Sequence, residues 1–179
     1  NMDAVLLSRI QFGLAAGFHF IFPPLTLGLT LIIVIFESMF YKTNEELYKS
    51  ISSFFIKILA LIFALGVATG IVLEFSFGTN WAEYSRMVGD IFGAPLAAEG
   101  IFAFFLESVF LGVLLFGRKK VSRGFYLFAT IMVFLGAHLS ALWILIANSW
   151  MQTPAGFVME GGRAVMSDFF AAIFNPSTF

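Results

Sequence analysis

Residues 9–40, RIQFGLAAGFHFIFPPLTLGLTLIIVIFESMF, are apolar almost throughout, and the length of that run decides the fold. A helix of about 20 apolar residues crosses the hydrocarbon core of a bilayer. Three more stretches repeat the pattern, at about 51–77, 93–116 and 122–150. The chain of 179 residues is 60% hydrophobic and 12% charged, and 25 of its residues are phenylalanine. Soluble domains carry about a quarter charged residues. Four buried helices in water would each need a jacket of protein that so short a chain cannot supply. The expected fold is therefore all-α: a single integral membrane domain over residues 1–179, a helical bundle of four transmembrane helices. The tail, 151–179, mixes apolar and polar residues too evenly to span and reads as an amphipathic helix on the outer surface.

The first run carries Asp3 and a single Arg9 ahead of it and lacks a small-residue cleavage site, so it reads as a permanent span rather than a signal peptide. There are no cysteines, which excludes disulfides, iron–sulfur clusters and thiolate-ligated haem. No basic stripe exists that would suit nucleic acid. The cations fall unevenly. Lys42, Lys49 and Lys57 lie at or near the loop between spans one and two, and Arg118, Lys119, Lys120 and Arg123 between spans three and four; Arg9, Arg86 and Arg163 lie on the other side. The positive-inside rule then puts the two basic loops in the cytoplasm, with the N-terminus and the tail outside. The outer segment GTNWAEYSRMVGDIFGAP reads as a connection, with Pro95 in the first turn of span three, where its missing N–H costs nothing.

Ionisable groups are expensive in lipid, so each is a functional candidate. His19 has two open readings: a neutral histidine hydrogen-bonded to a neighbouring helix, or an axial ligand of haem iron. Pro23 and Pro24 cannot donate to the carbonyls of His19 and Phe20, so the helix is expected to kink there. Gly13 and Gly17, with Ala15 and Ala16, would let a flat macrocycle or another helix approach the backbone. Glu99 and Glu107 share span three; on a regular helix they stand roughly 80° apart around the axis and about 12 Å apart along it, able to line one cavity at two depths and to hold and pass protons. His138 of span four lies at a depth similar to that of His19, which leaves a bis-histidine haem site open beside a plain hydrogen-bonding role. Lys57 and Glu74 sit nearer the ends of span two.

The stretches LSRIQFG and HFIFPPLTLG, then FALGVATGIVLEFSFGTNWAEYS, VGDIFGAPLAAEGIFAFFLES and LSALWILIANSWMQTP, resemble the N-terminal part of subunit I of the cytochrome bd family of quinol oxidases. The resemblance covers nearly all of the chain except the two inner loops and the tail. It implies oxidation of quinol in a bacterial or archaeal cytoplasmic membrane coupled to reduction of dioxygen to water. It implies haem b595 with haem d or a second haem b, and a further haem, b558. By this resemblance His19 is the axial ligand of a haem in the oxygen-reducing pair, and Glu99 and Glu107 lie beside that pair. Glu107, Ser108, Ser140 and Lys57 mark a proton route from the cytoplasm. Arg9 is a propionate partner and Glu74 a helper near the haems. The family does not use the position of His138 as a ligand, which argues against the bis-histidine site.

Subunit I of that family has about nine spans, so the ligands of b558, the carboxylate ligand of the third haem and the quinol loop are expected downstream of FNPSTF. The chain then reads as a fragment, as part of a longer chain, or as one half of a split subunit. Expected partners are the remainder of subunit I, subunit II, small single-span subunits, lipid and quinone. Two other functions stay open on residues alone: a haem-binding electron carrier or gas sensor on the same scaffold, and a haem-free proton transporter.

Overall fold

The computed structural model describes the backbone of residues 3–175 and their side chains except at 94, 95, 98 and 102. Residues 1–2 and the last part of the expected tail, 176–179, lie outside the described residues. Four stretches are long and apolar enough to cross a membrane: Ala4–Thr43, Glu46–Thr79, Glu99–Phe116 and Arg123–Gln152. The four-helix membrane bundle expected from the apolar runs is therefore the observed architecture.

The first stretch is two helices, α1 (Ala4–His19) and α2 (Phe22–Thr43). Asp3 caps α1, its carboxylate accepting from the Val5 N–H at 3.3 Å. The prolines do more than kink the chain. Phe20 and Ile21 form a turn, and Pro23 and Pro24 occupy the first turn of a new helix, where their missing N–H groups have no helical acceptor to lose. Asn44 ends α2 in the left-handed conformation, φ 63°, which its short polar side chain tolerates.

The next helix, α3 (Glu46–Thr79), has 34 residues. At about 1.5 Å per residue it is about 51 Å long, against a hydrocarbon core of about 30 Å. α2 packs along its first part and α1 along its last part. Gln11 accepts from the Asn80 amide at 3.2 Å, and the ring of Phe12 meets Trp81 edge-on at 5.5 Å. α1 buries no side chain of its own.

The segment expected as an outer connection is mostly helical. α4 (Ala82–Ala98) runs without interruption into a π-helical segment, Glu99–Phe104, and then into α5 (Phe105–Phe116). Pro95 thus falls inside α4 rather than in the first turn of a span. It leaves the Ile91 carbonyl without its usual donor, and four residues later the ladder widens to the π form. α6 (Arg123–Gln152) is capped by Ser122, whose hydroxyl accepts from the Phe125 N–H at 3.3 Å.

The tail is not one amphipathic helix. Strands β1 (Phe157–Glu160) and β2 (Arg163–Met166) form an antiparallel hairpin with Glu160 opposite Arg163, followed by the short α7 (Phe169–Ile173). Gly161 and Gly162 make the turn with φ of 56° and 78°, the left-handed pair that a two-residue hairpin loop requires. Val88, Ile91, Trp150, Ala164 and Ala172 form a small core that seats the hairpin and α7 on α4 and α6. A second core, around Ile33, Leu59, Leu111, Tyr126 and Val133, holds α2, α3, α5 and α6 together towards the end that carries the basic loops.

Candidate functional site

His19 is the last residue of α1, and its ring lies against α3. Nδ1 is 2.8 Å from the Thr69 hydroxyl oxygen. That same oxygen is 2.8 Å from the Leu65 carbonyl and 3.1 Å from the Gly66 carbonyl of its own helix. When the hydroxyl proton goes to one of these carbonyls, Oγ1 accepts from an Nδ1–H and Nε2 keeps its lone pair. Gly70 makes the contact possible. A Cβ at that position would stand 3.2 Å from Cε1 of the imidazole.

The small-residue face of α1 lies elsewhere. Gly13 and Gly17 stand roughly 120° and 160° around the helix from His19, and a Cβ at either would meet nothing within 4 Å. That open strip suits the approach of another helix and does not frame the histidine.

Glu74 follows Gly70 by one turn of α3 and so shares its face. Glu99 begins the π-helical segment, and its carboxylate accepts from the Ser140 hydroxyl of α6 at 2.6 Å. Glu107 lies in the first turn of α5 and is 7% exposed. Among the described residues its carboxylate has no hydrogen-bond partner. The π segment separates the two carboxylates, so the regular 100° per residue does not set their angle. α6 sets their relation instead. Ser140 faces Glu99, and Gly136, one turn earlier on the same face, faces Glu107: a Cβ on Gly136 would be 3.1 Å from the Glu107 backbone nitrogen, its Cβ and the Ala103 carbonyl. One stripe of α6 thus touches both acids.

The other sequence candidates gather less tightly. The Ser108 hydroxyl donates to the Phe105 carbonyl of its own helix at 3.3 Å. Lys57 and Arg9 are exposed, and among the described residues neither makes a hydrogen bond or an ion pair. His138 donates from Nδ1 to the Phe134 carbonyl at 2.8 Å, with its ring 4.0 Å from the Phe134 ring, which is the plain hydrogen-bonding role. Among the described residues no three His, Asp or Glu side chains converge as a metal-ligand cluster.

Sequence reading passed over Glu37. Its side chain is buried towards the basic end of α2, paired with Arg118 from the α5–α6 loop and accepting from the Ser52 hydroxyl of α3. Arg118 also lies over the Tyr126 ring of α6, 4.2 Å from its centroid, and the Tyr126 hydroxyl donates to the Leu114 carbonyl at 2.6 Å. The signal was present: a carboxylate in an apolar run, in a chain with a lone arginine at the start of a loop.

Comparison with known proteins bears on this arrangement. Residues 7–179 match the family described as cytochrome bd terminal oxidase subunit I. The chain is 49% identical over 176 residues to cytochrome bd-II ubiquinol oxidase subunit 1 of Escherichia coli, covering 97% of this chain and 34% of that protein. It is 44% identical over 175 residues to cytochrome bd ubiquinol oxidase subunit 1 of Bacillus subtilis, covering 98% of this chain and 37% of that one. The solved structure of bd oxidase from Geobacillus thermodenitrificans superposes with a TM-score of 0.90 at 31% identity, over 98% of this chain and 41% of the solved one. The chain thus spans little more than a third of the length of the two relatives. With the family matched along almost the whole chain and the fold matched by a solved relative, this multi-pass membrane chain belongs to the cytochrome bd terminal oxidase subunit I family.

Proposed function

We propose that the chain is the haem-binding N-terminal part of a terminal quinol oxidase, which oxidises quinol and reduces dioxygen to water with protons taken from the cytoplasm. The observation that carries this reading is the imidazole of His19, held at Nδ1 by Thr69 while Nε2 makes no hydrogen bond among the described residues. The residues fit a haem: a neutral imidazole with its other nitrogen hydrogen-bonded is the usual axial donor, and it stands in an otherwise apolar setting. Haem, when bound, supplies the redox-active iron at which electrons from quinol reach dioxygen.

The chain's own residues would do the rest. His19 holds the iron; Arg9 faces a propionate; Glu74 and Glu99 set the charge near it, with the Ser140 hydroxyl orienting the Glu99 carboxylate. Glu107 and Ser140 would pass protons along the α6 stripe, with Ser108 beside Glu107 on α5 and Lys57 at the cytoplasmic entry. The basic loops face the cytoplasm and the N-terminus lies outside, in agreement with the positive-inside rule. The haems involved are b595 with d or a second b. Haem b558, quinol binding, and the partners (the rest of subunit I, subunit II and small single-span subunits) need residues beyond these.

A reduced-minus-oxidised spectrum of the intact complex, with His19→Ala beside the unaltered protein, tests the haem assignment. Loss of one high-spin haem signal is expected, and an unchanged spectrum would remove His19 from the ligands. Oxygen uptake with reduced quinol separates an oxidase from an electron carrier or sensor, and a complex without any haem signal would be a transporter. Glu107→Gln is expected to slow turnover while haem content holds.

A further inference from the structure

We propose that the cleft between the two basic loops binds the phosphate of an anionic phospholipid. The cleft has a volume of about 220 Å³ and lies at the ends of α2, α3 and α6, where the spans meet the membrane surface. Its charged lining is Lys49, Arg118 and Arg123 against Glu37 and Glu46. These charges do not cancel locally. Glu37 is taken up by Arg118 and is itself buried. Glu46 lies 2.8 Å from Lys49 within one turn of α3, but its side chain is 76% exposed, and such a pair is weak in water. Arg123 donates to the neutral side chain of Asn44, and among the described residues no carboxylate pairs with it.

Phe40 adds an independent observation. The Lys49 ammonium lies 5.7 Å and the Arg123 guanidinium 5.6 Å from the centroid of this one ring. Two cations from different spans thus gather about one aromatic side chain, which concentrates positive charge where an anion can bind. A phosphate matches this need, because the arginine fork and the lysine can both donate to its oxygens.

The surroundings favour a lipid as the source. Tyr41 lines the cleft and is exposed, as are Leu47 and Phe125, the sequence neighbours of the lining residues Glu46 and Tyr126; these offer apolar surface to acyl chains, and tyrosine favours the membrane interface. Basic pockets between transmembrane helices take anionic headgroups in this way. Lys119 and Lys120 lie in the same loop as Arg118 but do not line the cleft, which makes them an internal comparison. The proposal does not depend on the oxidase reading.

The test uses the intact membrane complex that contains this chain, exchanged into vesicles of phosphatidylcholine with one part in five of phosphatidylglycerol. The complex is then extracted in mild detergent, and retained lipid is counted by native mass spectrometry. Retained phosphatidylglycerol should fall roughly fivefold for each charge removed in Lys49→Gln and in the Lys49→Gln, Arg123→Gln pair, and by less than about twofold in the Lys119→Gln, Lys120→Gln pair. Arg123→Lys, which keeps the charge, should retain most of the lipid and guards against loss through misfolding. Equal loss in both glutamine pairs would make the effect a diffuse surface charge and overturn the site. So would retention of phosphatidylcholine at the same level, or displacement of the lipid by millimolar inorganic phosphate, which would mark an anion site served from solution.

Discussion

The imidazole of His19 and the hydroxyl of Thr69, 50 residues apart in the chain, meet at 2.8 Å across the boundary between α1 and α3. This contact engages Nδ1 and leaves Nε2 without a hydrogen bond among the described residues. Thr69→Val keeps the shape and removes the hydroxyl, so the ring loses the hydrogen bond that orients it. Loss of such a supporting partner typically weakens metal binding about 10–100-fold. Haem per protein, measured as the pyridine haemochrome, should fall in Thr69→Val and recover in Thr69→Ser. Equal haem in all three proteins would mean that Thr69 does not support the site.

Two glycines set close approaches and should not tolerate side chains equally. At Gly136 a methyl group would meet two backbone atoms and a Cβ at 3.1 Å, none of which can swing away. Gly136→Ala should therefore push α6 from the π–α5 junction, at a cost of about 1–3 kcal/mol. At Gly70 the obstacle is a single imidazole edge at 3.2 Å, so Gly70→Ala should be mild and Gly70→Leu should displace His19. Thermal unfolding checks the first expectation, and haem retention checks the second.

Glu37 and Arg118 join α2 to the α5–α6 loop, and Ser52 adds α3. Glu37→Met or Arg118→Met alone leaves a charge without its partner in a buried place, an effect of about 3–5 kcal/mol. Replacing both by Met should restore most of the loss. Three unfolding curves decide it, and a double variant no better than the worse single one would contradict the pairing.

The Tyr84 hydroxyl and the Trp81 indole N–H are buried without a hydrogen-bond partner among the described residues. Tyr84→Phe removes an unsatisfied donor and should be neutral or stabilising. Burial also pushes the Tyr84 phenol up from its ordinary value. A raised pKa in the folded state means that any stability linked to the protonated phenol is present below about pH 10 and is lost as pH rises beyond it. Unfolding measured from pH 8 upward should show a steeper alkaline loss in the unaltered chain than in Tyr84→Phe.

The spans were legible in the sequence because lipid imposes one requirement, a long apolar run, that no tertiary contact can override. The details that depend on neighbours were less so. Pro23 and Pro24 announced a disturbance, but whether a helix bends or restarts depends on where the chain before it finds support, and α1 finds it on α3. The π segment at Glu99 has no signature of its own in composition. It appears where the ladder has lost a donor at Pro95 and where α6 presses in at Gly136. The hairpin could have been read from Glu160-Gly161-Gly162-Arg163, a two-glycine turn between short apolar stretches, yet the apolar and polar alternation around it also fits a helix face. Of the site, His19, Glu99, Glu107 and Ser140 were readable as costly or hydroxyl-bearing groups. Thr69 was not, since a threonine in a span is ordinary until its partner is known.

The turn at Phe20 and Ile21 makes α1 a separate rod, and that rod buries no side chain of its own. Its hold on α3 comes from Gln11 with Asn80 and Phe12 with Trp81 midway along it, and from His19 with Thr69 at its end. A side chain lost at Thr69 would therefore act on the ring and on the last turn of Ala4–His19 together, while the helix that restarts at Pro23 and Pro24 keeps its own core around Ile33.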